Sequence, residues 1–364
     1  MLASLHPPRL RYISAQMLRI IVRHPPRPEG WRAAADDAAA RARRFPPAVL
    51  LALLTALFAF GCSSQRTPSP EQSPSPEVIA DSPVVVAAGD IAICSGRGDE
   101  ATARLLSSIR ATVLTLGDNA YQNGSPEEFA DCYDPSWGQY KDRTKPSPGN
   151  HDYRNEGAEG YFEYFGEAAG EPAKGYYSYD LGAWHLLALN SNCDEVGGCD
   201  ASSPQVRWLK EDLAANDEKA CNLAYFHHPL FTSGKYRPGI PEVKPLWEAL
   251  YAADADVVLN GHDHNYQRFA PQDPEGRADP EGGIRQFVVG TGGKSHYAIT
   301  WGIPGRFFPE VFSKNFWLPM ANIEAYDDET YGVLKLVLSP RGYEWRFLET
   351  AGSEFRDFGA DRCH

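Results

Sequence analysis

The amino-acid sequence predicts an α/β fold, and two observations support that prediction. Residues 83–88 and Thr112–Leu116 are apolar, β-branched runs typical of core strands, and residues 101–109 between them have helical apolar spacing. This βαβ order is typical of a parallel sheet. Nearly every predicted core strand is also followed by glycine together with aspartate, asparagine or histidine. Because such strand ends meet at one edge of the sheet, we expect these polar side chains to converge there.

The later part of the chain continues the alternation of strands and helices. Ser203 and Pro204 fit the N-cap and the first position of a helix. Residues 339–342 are a turn signal between two apolar runs, which predicts a hairpin. In chain order, the expected elements are strands at residues 176–182 and 184–190, a helix from 204, a strand at 221–226, a helix at 243–253, strands at 256–260 and 284–289, and the hairpin of 330–338 and 343–348.

The composition excludes one class of partner and constrains another. The chain has 364 residues, of which 43% are hydrophobic, so it is long enough for a large core. Its formal net charge is -13, and an acidic surface gives no electrostatic footprint for nucleic acid. The same charge repels phosphate esters at long range. An anionic substrate would therefore need local cations, which bound metal ions can supply.

The cysteines are arranged for disulfides rather than for a thiolate metal site. Seven cysteines occur without any CxxC pair, which argues against zinc bound by thiolates. Setting Cys62 aside leaves an even number, which suits three disulfides whose connectivity the sequence does not fix. Cys193 and Cys199 enclose a short loop, so we expect that pair. Cys94 with Cys132 and Cys221 with Cys363 are the remaining candidate pairs, and buried free thiols are the alternative.

Residues 1–62 are predicted to be an N-terminal extension that ends in a signal segment. The apolar run at residues 48–60 follows several arginines, is short for a membrane-spanning helix and is typical of a signal h-region. Cys62 after this run resembles the lipidated cysteine of a bacterial lipoprotein signal; ordinary secretion and an uncleaved anchor are the alternatives. Residues 63–83 form a Ser/Pro-rich linker, and residues 84–364 a single domain. We therefore expect an exported protein, either lipid-anchored or secreted.

The polar residues at the predicted strand ends are typical of a metal site. They are carboxylates, imidazoles, one amide and one phenol, a donor set that suits iron, zinc or manganese. They exceed the needs of one ion, so we expect two ions that share the carboxylate of Asp118. Two ions about 3.5–4 Å apart are a recognised arrangement for phosphoester hydrolysis. The candidate ligands are Asp90, Asp118, Tyr121, Asn150, His227, His262 and His264.

Five short motifs contain these residues in chain order, and together they resemble a known family. The motifs are Gly89-Asp90, Gly117-Asp118-Asn119-Ala120-Tyr121, Gly149-Asn150-His151-Asp152, His227-His228-Pro229 and Gly261-His262-Asp263-His264. They resemble the calcineurin-like metallophosphoesterase superfamily over roughly residues 84–348. Tyr121 makes the chain most similar to small purple acid phosphatases of the tartrate-resistant type. Ala92 is a departure, because that superfamily usually has glycine there in an Asp-x-Gly motif.

The resemblance implies a four-layer α/β/β/α sandwich with a single catalytic domain and a dinuclear metal site. The ligands of the first ion, which would be Fe(III), would be Asp90, Asp118, Tyr121 and His264. The ligands of the second ion, which would be Fe(II), Zn(II) or Mn(II), would be Asp118, Asn150, His227 and His262. The spacing of the family motif favours His227 over His228 as the ligand. A metal-bound hydroxide would be the nucleophile, and His151 would protonate the leaving group as general acid.

Other residues are candidates for roles around the metal ions. Asp152 either orients His151 for catalysis or caps a turn. Asn119 and His228 are candidates for substrate binding. Residues 301–317, rich in aromatic side chains and glycine, either shape the mouth of the pocket or pack on the domain.

The predicted activity is hydrolysis of a small phosphomonoester. A metallophosphodiesterase or nucleotidase would use the same ligands, so only the shape of the pocket would distinguish these activities. A non-catalytic surface-binding protein is a third hypothesis, and the complete ligand set argues against it. We expect contact with a membrane only through a lipid on Cys62.

Overall fold

The computed structural model describes residues 82–299 and 321–364. The predicted signal segment, nearly all of the linker at residues 63–83 and the loop at residues 301–317 lie outside the described residues. Among the helices that are described, none combines the length and the apolar composition needed to cross a membrane.

Two mixed sheets form the framework of the domain. In spatial order, the first sheet consists of Phe358–Arg362 (β15), Gly342–Glu349 (β14), Gly332–Ser339 (β13), Val84–Ala88 (β1), Thr112–Leu116 (β3) and Thr144–Ser147 (β5). The second sheet consists of Ile323–Asp327 (β12), Tyr266–Phe269 (β10), Arg285–Val289 (β11), Val257–Asn260 (β9), Cys221–Tyr225 (β8), Trp184–Ala188 (β7) and Tyr177–Leu181 (β6). Ala92–Ile93 (β2) and Ala120–Tyr121 (β4) form a separate short parallel pair.

Parallel strands lie side by side in both sheets. β1, β3 and β5 run parallel in the first sheet, and β7, β8, β9 and β11 run parallel in the second. At the edge formed by their carboxyl ends, the Gly89 amide donates to the Val289 carbonyl at 2.9 Å, and the Gly292 amide donates to the Gly89 carbonyl at 2.9 Å. These hydrogen bonds join the two sheets where the polar strand ends lie, as the sequence predicted.

Helices cover the outer faces of the sheets. Gly98–Leu106 (α1) packs on the first sheet through Ala103 and Leu106. On the second sheet, successive residues of β8 face opposite sides of the sheet. Leu223 packs in the hydrophobic cluster that includes residues of the first sheet, and Ala224 packs in the hydrophobic cluster that includes residues of the helices. The remaining helices are Pro126–Glu128 (α2), which continues as a π-helical turn at Phe129–Tyr133, Glu159–Phe165 (α3), and, over the second sheet, Pro204–Ala215 (α4) and Lys244–Tyr251 (α5). The layers are helix, sheet, sheet and helix, so the expected four-layer fold is confirmed.

Most of the predicted elements are present with small changes in their bounds. The Ser203 side chain caps α4 by accepting from the Val206 amide, with Pro204 at the first helical position, as predicted. α1 begins earlier than expected, at Gly98. β5, a polar edge strand that contains Pro146, was not predicted, because edge strands tolerate proline and need no apolar run.

Three disulfides are present among the described residues, and all three expected pairs are confirmed. They are Cys94–Cys132, Cys193–Cys199 and Cys221–Cys363. Cys221 begins β8 in the second sheet, whereas Cys363 follows β15 in the first. That disulfide therefore ties together the two sheets, and the free-thiol alternative is wrong for these residues.

His185 on β7 lies between two carboxylates near the amino end of that strand. Its Nδ1 is 2.8 Å from Asp180 Oδ1, and its Nε2 is 2.7 Å from Asp212 Oδ2. The residue is 2% exposed. Burial opposes the charged imidazolium, but the hydrogen bonds to Asp212 and Asp180 outweigh it and raise the pKa of His185 above its ordinary value. The folded protein therefore holds this proton more tightly than the unfolded chain does.

This arrangement predicts a pH-dependent stability that His185→Gln should remove. Because the pKa is raised on folding, the stabilisation is fully present below about pH 6.5 and is lost as pH rises through the folded-state pKa. At pH 5.5, His185→Gln should lower the free energy of unfolding by about 1.5–3 kcal/mol, the range for hydrogen bonds to charged groups. The difference from the wild type should shrink toward pH 9. Urea unfolding across that pH range measures it, and a difference that grows with pH would contradict the assignment.

Candidate metal centre

The candidate ligands follow the ends of parallel strands by two or three residues. Asp90 follows β1, Asp118 follows β3, Asn150 follows β5, His227 follows β8 and His262 follows β9. Three of these residues have a positive φ, which is 59° at Asp90, 52° at Asp118 and 69° at His262. Such a conformation is strained for residues other than glycine and is concentrated at functional sites. The strand ends thus turn sharply and direct these side chains into one region.

Two motif glycines allow the backbones to approach closely. A Cβ on Gly149 would lie 2.2 Å from Asp118 Oδ1. A Cβ on Gly261 would lie 2.6 Å from the Leu116 carbonyl oxygen and 2.9 Å from Asp90 Oδ2. Alanine at either position would displace a candidate ligand, so glycine is needed at both.

Three candidate metal ligands surround the hydroxyl of Tyr121, and together with Tyr121 they make a group of four donor side chains. Tyr121 Oη lies 2.7 Å from Asp90 Oδ1 and 2.8 Å from Asp118 Oδ2. His264 Nε2 lies 3.2 Å from both Tyr121 Oη and Asp90 Oδ1. Its other ring nitrogen, Nδ1, is 2.7 Å from the Ser295 carbonyl oxygen, which fixes the ring with Nε2 toward the group. We call this group the tyrosine cluster.

Three candidate metal ligands surround Nε2 of His227, and together with His227 they make a second group of four donors. This nitrogen lies 3.1 Å from Asn150 Oδ1, 3.4 Å from Asp118 Oδ1 and 3.2 Å from His262 Nδ1. His227 Nδ1 is 2.8 Å from the Leu116 carbonyl oxygen, so Nε2 faces the group. We call this group the histidine cluster. The two clusters share Asp118, which directs Oδ2 to the first and Oδ1 to the second.

The segment His262–His264 supplies one imidazole to each cluster. Asp263 between them points elsewhere, and its carboxylate accepts a 2.5 Å hydrogen bond from Thr232 Oγ1 and a 3.0 Å one from the Lys235 amide. His262 has a φ of 69°, so this segment is a turn rather than extended backbone.

The protonation of the clusters fits a site for cations. Burial opposes ionisation of Asp118, but His227 and His151 outweigh it and lower its pKa below the usual range. Burial also opposes the imidazolium of His227, but Asp118 and Asp90 raise its pKa to about 9. Burial and the carboxylates of Asp118 and Asp90 raise the pKa of Tyr121 well above 10. Protons on His227 and Tyr121 therefore offset the negative charge of the buried carboxylates. Bound metal cations would take over that role.

His151 lies beside the clusters without belonging to either. Its amide donates to Asp118 Oδ1 at 2.7 Å, and its Nε2 is 3.9 Å from Asp118 Oδ2. Its Nδ1 is 2.6 Å from the Gln122 carbonyl oxygen, and its ring lies 4.4 Å from that of Tyr121. Burial lowers the pKa of His151, although Asp118 opposes this shift. The hydrogen bond at Nδ1 leaves Nε2 as the nitrogen able to exchange a proton near the clusters.

Asp152 and Asn119 contact each other beside the candidate ligands. Of the two roles predicted for Asp152, its contacts fit the turn: the carboxylate accepts from Asn119 Nδ2 at 2.9 Å and from the Gly149 amide at 2.8 Å, whereas the His151 ring contacts Gln122. The side chain of Asn119, a candidate for substrate binding, is fully buried, and its Nδ2 donates to Asp152 and to the Ser147 carbonyl. Both residues hold the Gly149 and Asp118 loops together.

His228 lies on the wall of a cavity next to the histidine cluster. Its Nδ1 is 2.9 Å from Ser191 Oγ. One ring nitrogen from each of His227, His228 and His262 lies within 4.8 Å of the other two, so His228 is a further candidate ligand beside the histidine cluster. Burial, followed by the charge of His227, lowers the pKa of His228 to about 3, which keeps it neutral. The cavity has a volume of about 390 Å³ and is lined by Asn150, Tyr153, Ser191, Asn192, Cys193, Asp194, Glu195, His228, Ile240 and Glu242.

Two tyrosines that the sequence analysis missed stack on the candidate histidine ligands. Tyr236 lies against His262 with ring centroids 4.0 Å apart, and Tyr297 lies against His264 at 3.9 Å. Lys235 Nζ lies 3.9 Å from the centre of the Tyr297 ring. These residues come from two loops that are distant in sequence and have no ligand-like spacing, so no local pattern could have identified them.

A family model described as calcineurin-like phosphoesterase matches residues 83–266, which include all of the motifs described above. The chain belongs to the calcineurin-like phosphoesterase family. The resemblance stated from the motifs and the fold that it implied are therefore confirmed.

Curated relatives of this family member are purple acid phosphatases. Purple acid phosphatase 15 of Arabidopsis thaliana is 26% identical over 244 residues, which are 57% of this chain and 44% of that protein. Purple acid phosphatase 21 of the same plant is 34% identical over 122 residues, 32% of this chain and 26% of that protein. The chain therefore matches less than half of the length of these relatives.

Solved structures share the fold at low sequence identity. A purple acid phosphatase from yellow lupin (Lupinus luteus) seeds has a TM-score of 0.54 at 17% identity, over 79% of this chain and 55% of that one. GAP50, described as the anchor in the inner membrane complex of Plasmodium, has a TM-score of 0.56 at 13% identity, over 78% of this chain and 89% of that one. Both similarities show the fold alone.

Proposed function

We propose that this protein is a two-metal phosphoester hydrolase that acts on small phosphomonoesters. The observation that carries the proposal is the pair of four-donor clusters that share the two carboxylate oxygens of Asp118. Each cluster has enough donors for one ion. The family membership and the purple acid phosphatase relatives support the same activity.

The donor chemistry indicates which ion each cluster prefers. The tyrosine cluster contains two carboxylates and a phenol, which are hard, anionic donors suited to Fe(III). The histidine cluster contains two imidazoles, one amide oxygen and one carboxylate oxygen, which suit Fe(II), Zn(II) or Mn(II). Two ions held there would polarise the phosphoryl oxygens and lower the pKa of a bound water.

The remaining steps depend on residues of the chain. His151 is placed to protonate the leaving alkoxide through Nε2, because the Gln122 carbonyl holds Nδ1. His228 and Asn150 border the cavity that would take the organic part of the substrate. The buried Asp152 and Asn119 keep the loops of both clusters in register.

Metal removal tests the proposal. The full chain should contain about two metal ions, hydrolyse p-nitrophenyl phosphate and lose that activity when a chelator removes the ions, with recovery on reloading. If Fe(III) occupies the tyrosine cluster, the protein should be coloured by phenolate-to-iron charge transfer, and Tyr121→Phe should lose the colour. Full activity in the metal-free protein would contradict the proposal, and a colourless active protein containing only zinc or manganese would contradict the Fe(III) assignment.

The alternatives share the ligands and differ in substrate. A phosphodiesterase or nucleotidase would hydrolyse bis-p-nitrophenyl phosphate or a nucleoside monophosphate faster than simple monoesters, so relative rates on these compounds decide among them. The metal-loaded protein would be inactive on all of them if it were a non-catalytic binding protein.

We also propose that the domain is exported. Three disulfides form and persist in oxidising compartments, and the signal-like segment before Cys62 agrees with export. Lipid on Cys62 and ordinary secretion differ in the mass of the mature N-terminus, which mass spectrometry measures directly.

A further inference from the structure

The cavity beside the histidine cluster carries three carboxylates that neither the metal ligands nor His151 account for. The cavity has a volume of about 390 Å³, and the candidate ligand Asn150 forms part of its wall. Asp194 and Glu195 line it from one segment, and Glu242 lines it from another. Among the residues that line it in the described part of the chain, none is a lysine or an arginine. The wall next to the candidate metal centre is therefore acidic.

Backbone contacts fix both acidic segments. Cys193–Glu195 is a 3₁₀ turn that begins at a disulfide-bonded cysteine, and its last amide donates to the Asn192 carbonyl at 3.0 Å. Pro241–Val243 is a second 3₁₀ turn, and it contains the third carboxylate. This turn follows Ile240, whose amide donates to the Pro229 carbonyl at 2.9 Å. Two structured turns thus hold the three carboxylates at the cavity.

No basic side chain within residues 82–299 and 321–364 forms an ion pair with these three carboxylates, which are exposed. The nearest lysine along the chain, Lys244, pairs with Glu248 at 3.3 Å and with Glu275 at 3.1 Å instead. Arg154, which follows a residue of the cavity wall, donates to the Gln122 carbonyl at 3.4 Å. The negative charge of the wall is therefore available to a ligand.

A buried amide oxygen in the same wall also lacks a donor. Asn192 is 8% exposed and lines the cavity. Its Nδ2 donates to Asn190 Oδ1 at 2.9 Å and to the Pro148 carbonyl at 3.3 Å, whereas no described group donates to its Oδ1. A primary ammonium group has three donors and no acceptor, so it suits both this oxygen and the carboxylates. Tyr153 adds an aromatic ring to the wall, and aromatic rings attract such cations.

The spacing of the carboxylates favours an organic cation over a metal ion. Groups of three metal-ligand atoms within 4.8 Å of one another occur among the described residues, but none of those groups contains Asp194, Glu195 or Glu242. The three carboxylates therefore surround a space that is wider than a single ion requires.

We propose that this cavity binds the ammonium group of the substrate, so that phosphomonoesters of short amino alcohols are the preferred class. The inference rests on the proposed function, in which the phosphate binds at the metal ions and the organic part enters the cavity. Such a substrate places its anion at the metal ions and its cation against the acidic wall. In the hydrolysis, water adds to the phosphorus, the bond to the ester oxygen breaks, and the amino alcohol leaves with a proton from His151.

The test compares O-phosphoethanolamine with propyl phosphate, in which a methyl group replaces the ammonium. For the metal-loaded full chain, kcat/KM should be at least about 10-fold higher for O-phosphoethanolamine. Asp194→Asn, Glu195→Gln and Glu242→Gln should each lower that ratio about 2- to 5-fold, because each removes one exposed ion pair with the substrate. The triple variant should hydrolyse the two esters at similar rates. Glu211→Gln, which removes the same charge from the exposed face of α4, is the matched control and should leave the ratio unchanged.

A binding measurement separates recognition of the ammonium group from catalysis. By calorimetry, the metal-loaded protein should bind 2-aminoethylphosphonate more tightly than propylphosphonate, and the triple variant should lose most of that difference with its metal content unchanged. Equal wild-type kcat/KM values on the two esters, or a triple variant that keeps the preference, would overturn the ammonium site and leave the phosphatase proposal intact. A wild-type protein inactive on both esters and on p-nitrophenyl phosphate would instead overturn the proposed function.

Discussion

Replacing Asp118 by asparagine should remove metal from both clusters at once. Among the candidate ligands, Asp118 directs one carboxylate oxygen to each cluster, with Oδ2 near Tyr121 and Oδ1 near His227. The neutral amide keeps the shape but cannot neutralise either cation. Since the loss of an outer-shell partner alone typically costs 10–100-fold in affinity or activity, kcat/KM should fall by at least about 100-fold. Elemental analysis of the purified variant should find well under two metal ions per chain.

Variants of one cluster provide the control for this experiment. Asn150→Ala changes only the histidine cluster, and Tyr121→Phe only the tyrosine cluster. Each should retain about one ion per chain, whereas Asp118→Asn should retain less. Two full equivalents of metal in Asp118→Asn would show that Asp118 does not bridge.

Replacing His151 by alanine should reduce turnover while leaving both metal ions in place. His151 contributes its backbone amide, not its ring, to the nearest contact with Asp118, so the clusters do not need the imidazole. General acid catalysis contributes typically 10²–10⁴-fold, and kcat for an alkyl phosphate should fall in about that range. The loss should be smaller for p-nitrophenyl phosphate, because p-nitrophenolate leaves with little need for a proton.

This dependence on the leaving group distinguishes an acid from a residue that only binds phosphate. A binding role would lower the rates on both substrates by the same factor. His185→Gln serves as the control for loss of a histidine near the opposite end of the strands, and it should leave both rates unchanged. A loss of metal ions in His151→Ala would contradict the assignment.

The sequence was sufficient for the central strands and the donors at their ends because both are local signals. β3 is an apolar run followed within two residues by Asp118, and the same relation recurs at β1, β8 and β9. β5 lacks that signal because it contains no apolar run. Only its backbone pairing with the neighbouring β3 identifies it as a strand.

The direction of a side chain was not available from the sequence. Asp152 follows His151 directly, yet its carboxylate accepts from Asn119 Nδ2 rather than from the His151 ring. Tyr236 and Tyr297 reach the site from loops whose positions are set by long-range packing. Motif spacing therefore identified which donors occur at the site, but not the surroundings that hold them.

The positive φ angles at Asp90, Asp118 and His262 have a consequence for the evolution and engineering of this domain. Glycine would relax the backbone at each position, so a selection for thermal stability alone would favour losing the ligands. Random libraries screened only for folding should accumulate Gly at these positions. Screens that require bound metal should reject it, so the site is a place where foldability and activity select in opposite directions.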